Sequence, residues 1–139
     1  MQDKTPQGLM EKWGNESLKL GWTALPTALL ILQGKLGISP LGLNILLNLV
    51  SLWWDVSEQP YPSQQTLANR IGVSKRSIQR ESLSLIKAGL LKTRRSTYQD
   101  EKLHGRNAYD LKPLVEKLQE LSPNLAKAMK KNKEDMEEK

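Results

Sequence analysis

The sequence predicts a mainly α fold with one small β element. Three observations carry this. Apolar residues recur at helical spacing in several short segments. Serine start signals (Ser39, Ser63, Ser74) and glycine stop signals (Gly72, Gly89) bracket three of them. Two strand-like runs, "LLKTRRSTY" and "RNAYDL", flank the polar stretch "QDEKLHG".

The elements follow in order. Residues 1–20 are polar and mixed, and are expected to form a flexible N-terminal extension. Pro26 is expected in the first turn of a short helix over "TALLILQGK". Ser39 reads as an N-cap and Pro40 as the first helical residue of a helix over 41–54. Leu43, Leu46, Leu47, Val50, Trp53 and Trp54 make that helix the centre of the core. Asn44, Asn48, Ser51 and Asp55 form its polar stripe. Pro60 and Pro62 keep "DVSEQPYP" a loop.

Ser63 then caps a helix over 64–71 whose inner face is Leu67, Ala68 and Ile71. Gly72 is placed for a left-handed C-cap, and Val73 fills the turn against the core. Ser74 caps a longer helix over 75–88, ended by Gly89. The two strands and their loop form a hairpin. Pro113 opens a last helix with Leu114, Val115, Leu118 and Leu121 inward, and Pro123 is expected to close it. The order is helix, helix, tight turn, helix, two-stranded wing, helix. That is a winged helix-turn-helix over residues 21–121, followed by a charged tail over 122–139.

The 139 residues suffice for one compact domain plus extensions. With no cysteine, disulfides, zinc–thiolate sites and thiol nucleophiles are excluded. His104 is the one histidine, so a histidine metal site or a Ser–His–Asp triad has little to work with, and neither metal nor cofactor is expected. No signal-peptide pattern opens the chain. The most apolar region is interrupted by Pro26, Gly34, Lys35 and Pro40, short of the ~20 apolar residues of a membrane span. A cytoplasmic, nucleoid-associated protein is expected.

Charge is unevenly placed. Of the 21 basic and 15 acidic residues, ten basic and three acidic ones fall in 69–106, a local net of +7. The remaining eleven basic and twelve acidic residues leave −1 elsewhere. Solubility charge would spread evenly; a single basic block points to a polyanionic partner.

The segment "SKRSIQR" has what a groove-reading helix requires. Ile78 anchors it inward, while Lys75, Arg76, Ser77, Gln79 and Arg80 surround its first two turns. Arginine pairs bidentately with guanine and glutamine with adenine in the major groove. Arg76, Gln79 and Arg80 are therefore expected at bases or flanking phosphate, and Lys75 and Ser77 mainly at phosphate. Ser63, Gln64, Gln65 and Thr66 at the start of the preceding helix can offer amides and hydroxyls to phosphate. The wing adds Lys92, Arg94, Arg95, Lys102, His104 and Arg106. Lys92 and Arg94 share one face, Thr93 and Arg95 the other. These charges equally protect a short edge strand, and His104 alone reads as a surface residue.

Some residues do not fit a simple reading helix. Ser82 stands where an apolar residue is expected, and Leu83 and Ile86 lie partly off the stripe of Ile78 and Leu85. They pack beneath the wing or form a protein interface. Most of Trp13, Trp22, Trp53 and Trp54 are expected in the core; an exposed pair would mark a dimer contact.

At "YPSQQTLANRIGVSKRSIQR", "KAGLL" and "GRNAYDL" the sequence resembles the winged helix-turn-helix family of bacterial and mobile-element regulators and plasmid or phage replication initiators. The similarity covers about 22–121. The resemblance implies sequence-specific binding of double-stranded DNA through residues 75–80, assisted by the wing. The expected function is a transcriptional regulator, a repressor, in a bacterium or mobile element. The alternative is a plasmid or phage replication or partition factor binding repeated origin sites. A third class is an adaptor using the fold as a scaffold. With no phosphate-cradling loop and no paired carboxylates, an enzyme is not expected. A homodimer is expected, with a further protein partner open to the tryptophan-containing N-terminal region or the C-terminal tail.

Overall fold

The computed structural model describes residues 5–137. Its elements are α1 (Gln7–Ser17), α2 (Thr27–Leu32), α3 (Pro40–Ser51), α4 (Gln64–Ile71), α5 (Lys75–Lys87), β1 (Lys92–Arg95), β2 (Asn107–Asp110) and α6 (Lys112–Glu137). The winged helix-turn-helix architecture expected from the sequence is the one observed.

Three serines start the central helices in the same way. Each is extended at ψ near 155°, and its hydroxyl accepts an amide N–H three residues on: Ser39 from Gly42, Ser63 from Thr66, Ser74 from Ser77. Substituting such a cap by alanine typically costs about 1 kcal/mol. Gly72 ends α4 with φ 83°, a left-handed conformation that a β-carbon would strain. Its amide donates to the Ala68 carbonyl, and so does that of Val73. The turn between α4 and α5 is thereby closed in three residues.

The core lies where α3 meets α4 and α5, with α2 and the first half of α6 completing it. Ile45, Leu46, Leu49, Leu67 and Ile78 are all fully buried. The inward stripe of α3 is Gly42, Ile45, Leu46 and Leu49, one step around from the expected one. Leu43, Leu47, Val50 and Trp53 pack at its edge, and Trp54 is 77% exposed. The reason is that α3 is apolar on nearly every side, so its pattern does not choose a face. The choice is made by α5, whose Leu85 comes within 3.5 Å of where a Gly42 β-carbon would stand. The expected core position of the tryptophans is also corrected: Trp13 and Trp54 are exposed, Trp22 and Trp53 half-buried. None of the four is a core centre.

Two segments are more helical than expected. The N-terminal stretch forms α1, broken at Gly14 by φ 74° and burying no residue. At the other end, α6 runs through Pro123 to Glu137. Proline removes one backbone donor, but Leu121 and Leu125 still pack on the core and carry the helix past it. Pro26 sits one residue before α2, as its N-cap.

Strands β1 and β2 pair antiparallel, with Thr93 opposite Tyr109 and Arg94 opposite Ala108. Tyr109 is buried in the core, so Thr93 and Arg95 share its face of the sheet while Lys92 and Arg94 share the other. The Tyr109 N–H also donates to the Pro60 carbonyl at 2.9 Å, which ties the proline loop to the free edge of β2.

Ser82 is 7% exposed, and its hydroxyl meets no partner among the described residues. Ser82→Ala is expected to leave the fold intact and stabilise it by about 1 kcal/mol, since an unsatisfied buried hydroxyl is removed. Ile78→Ala is expected to cost about 2–5 kcal/mol. Urea unfolding of the two variants checks both.

Candidate nucleic-acid interface

Helix α5 has one buried edge. Ile78, Ser82 and Leu85 face inward. Lys75, Arg76, Gln79 and Arg80 are all exposed in the first two turns. Among the described residues, Lys75, Arg76 and Arg80 enter no ion pair. Their charge is available to an outside anion. Ser77 is half-buried and occupied locally: its amide and hydroxyl both meet the Ser74 hydroxyl, at 3.1 and 2.9 Å.

Two contacts fix the rotation of α5. The Glu81 carboxylate accepts the Ser39 Oγ–H at 2.9 Å, and that same oxygen caps α3. On the opposite side Gln79 Nε2–H donates to Gln64 Oε1 at 2.8 Å. That bond places the start of α4 beside the first turns of α5. Of Ser63, Gln64, Gln65 and Thr66, Gln64 makes this bridge and the other three bond within α4 and its cap. The Ser63 and Thr66 hydroxyls bond each other at 2.8 Å, and Gln65 donates to Asn69 at 2.8 Å.

The wing candidates divide into two groups. Lys92, Arg94 and Arg95 are exposed along β1 and in no ion pair among the described residues. Arg94 lines a groove of about 860 Å³ between the wing, the 53–61 segment and the start of α6, which Lys102, Asp110 and Glu116 also border. Lys102 and Arg106, by contrast, build the wing loop. Arg106 donates from Nε to the Leu103 carbonyl at 2.8 Å and from Nη2 to the Lys102 carbonyl at 3.0 Å. Its guanidinium lies 5.1 Å from the centre of the Tyr61 ring. The Lys102 ammonium is 5.6 Å from the same ring and 3.6 Å from the Glu58 carboxylate. His104 is exposed with φ 50°, a left-handed turn position at the loop's end.

Asp100 completes the loop. Its carboxylate accepts the amides of Lys102 and Leu103, both at 3.0 Å. The Leu103 amide is the main cause holding its pKa below the ordinary aspartate value, with Lys102, Arg94 and His104 adding to it. Sequence reasoning placed Asp100 in the hairpin loop without a role, and did not connect Tyr61 or Glu58 with the wing. Tyr61 lies between two prolines some forty residues upstream, and nothing in that pattern names its partners.

Arg106→Ala is expected to cost about 1–2 kcal/mol of stability through lost carbonyl and ring contacts, measurable by urea unfolding. Because the folded Asp100 pKa is depressed, its contribution is present above the ordinary aspartate value. It is lost as pH falls through the folded value. Amide exchange of Leu103 is therefore expected to accelerate in that acid window, and Asp100→Asn to show the faster exchange already at neutral pH.

Among the described residues no cluster of acids and histidine could hold a metal ion, and no helix is long and apolar enough to cross a membrane. Residues 36–91 match the family model described as a helix-turn-helix domain. Among solved structures, the chain is similar to the N-terminal domain of DnaD protein from Geobacillus kaustophilus HTA426. The identity is 24% and the TM-score 0.59, over 91% of this chain and 99% of that one. That likeness is one of fold. No curated protein matches the chain. The matched segment runs from the turn after α2 through the end of α5, and so includes Ser39, Ile78 and Glu81, which orient the exposed arginines. Residues 36–91 of this chain thus form a helix-turn-helix domain, and strands β1 and β2 beside it give the winged form.

Proposed function

We propose that this protein is a sequence-specific double-stranded DNA-binding regulator of transcription, a repressor, working as a homodimer on a bacterial or mobile-element operator. The carrying observation is the first two turns of α5. They present Arg76, Gln79 and Arg80 outward from a helix whose rotation is fixed by Ile78, Glu81 and Gln79 itself. Arg76 and Arg80 offer bidentate donors to guanine or phosphate, and Gln79 offers an amide suited to adenine. Lys75, Lys92, Arg94 and Arg95 supply sequence-independent attraction to the backbone. The protein acts by binding, without catalysis, in the cytoplasm at the nucleoid.

Dimerisation is supported by apolar surface outside the DNA-facing corner. Trp13 on α1 is 63% exposed, and Met129 and Met136 on the far half of α6 are 49% and 77% exposed. Leu83 on α5 adds another exposed apolar side chain. These same helices favour the second reading, a replication or partition factor that assembles several copies on an array of sites. Genomic DNA selection with footprinting separates the two. One short palindrome beside a promoter supports the regulator, and an array of repeats at an origin supports the assembly factor.

Arg80→Ala is expected to weaken binding and to lower the salt slope by about one. Identical salt titrations for wild type and variant would sink that assignment. Gln79→Ala is expected to relax discrimination at one base pair by about 1–3 kcal/mol while leaving most of the affinity. An unchanged selected motif would refute it.

A further inference from the structure

We propose that the groove beside α4, floored by Trp54, takes an unpaired nucleotide of a DNA strand adjoining the duplex that α5 reads. The groove holds about 320 Å³ and is bordered by Trp54, Tyr61, Thr66, Arg70 and Arg106. That is the lower end of the range for small-ligand sites, roughly 300–1,000 Å³.

Trp54 is 77% exposed yet oriented: its indole N–H donates to the Ser51 carbonyl at 2.9 Å. Arg70 reaches the hydroxyl of the same Ser51 at 3.4 Å. One residue at the end of α3 thus holds an open π-face and a guanidinium side by side. A stacked base pair has no free face to offer an indole; an unpaired base does. A guanidinium beside it suits the attached phosphate.

Charge does not oppose an anion here. Asp55 and Glu58 border the groove and keep their charge, but Arg70 and Arg106 balance them, and Lys102 pairs with Glu58. Asp55 accepts the amide and hydroxyl of Ser57 at 2.9 and 2.8 Å, and Glu58 faces Lys102. Neither Arg70 nor Arg106 meets a carboxylate among the described residues. Position favours DNA: Thr66 and Ser63 border the groove on α4, and the neighbouring Gln64 is bonded to Gln79 of the reading helix. The inference rests on the DNA-binding reading of α5 and extends it to a junction of duplex and single strand.

The test compares a blunt duplex carrying the selected site with the same duplex bearing an oligo(dT) overhang of about eight nucleotides. Binding is read by fluorescence anisotropy for wild type, Trp54→Ala, Trp54→Phe and Arg70→Ala. The overhang is expected to tighten wild-type binding roughly tenfold, the size of one base–aromatic stack. Trp54→Ala is expected to abolish that gain, Trp54→Phe to keep part of it, and Arg70→Ala to reduce its salt dependence. Blunt-duplex binding by all four proteins reports α5 alone. Its absence from wild type would overturn the reading of α5, whereas its presence with no overhang gain would overturn only the groove. A gain that persists in Trp54→Ala, or one lost equally in Trp54→Phe, overturns the stacking assignment. A Trp54→Ala protein that sediments as a monomer with its overhang gain intact would give the groove to a second copy of the chain instead.

Discussion

The seat of α5 on α3 is the constraint from which the rest of the molecule follows. The two helices approach closely because Gly42 has no side chain at their crossing. A β-carbon there would stand 3.1 Å from the Ser39 hydroxyl and 3.5 Å from Leu85. That hydroxyl caps α3 and at the same time donates to Glu81. Helix start, helix crossing and helix rotation thus meet at one oxygen atom. With Ile78 and Leu85 buried below it, α5 has little freedom to roll. The direction of every side chain in "KRSIQR" is set by this seat rather than by the basic residues themselves.

The wing is a second unit, joined to the first through β2. Buried Tyr109 is anchored in the core, and its N–H holds the Pro60 loop. From there Tyr61 reaches the undersides of Lys102 and Arg106. Buried Leu103 closes the arrangement. Positive charge in the basic block therefore has two uses. On α5 and β1 it is exposed and in no ion pair among the described residues. In the wing loop it satisfies carbonyls, an acid and an aromatic ring, because an eleven-residue connection with almost no core of its own needs such contacts to hold a shape.

Local chemistry was legible in the sequence wherever a single residue type decides the backbone. Ser39, Ser63, Ser74, Gly72 and Gly89 marked the ends of α3, α4 and α5 closely. Burial was harder to read where apolar residues are too many. In α3 nearly every face is apolar, and the partner helix selected Ile45 and Leu49 over Leu43 and Leu47. Pro123 misled for the opposite reason: a strong local signal was outweighed by packing of Leu121 and Leu125. Of the candidate interface, the exposed character of α5 and β1 followed from charge placement alone. The engagement of Arg106 and Lys102 did not, since Tyr61 and Glu58 lie far away in sequence and only the fold brings them near.

The bond between Gln79 and Gln64 has one more implication. The Gln79 amide already has a partner in the half-buried Gln64, while Gln79 itself is exposed. Under the proposed function, a base edge would have to outcompete this internal rival before Gln79 turned toward it. On that same reading, mismatched sequences would leave the side chain where it is, at no loss, and the protein would travel along DNA with this reader withdrawn. The threshold for engagement is set by a neutral hydrogen bond on its own surface. Changing Gln64 would then reset the stringency of recognition without altering any group that touches a base.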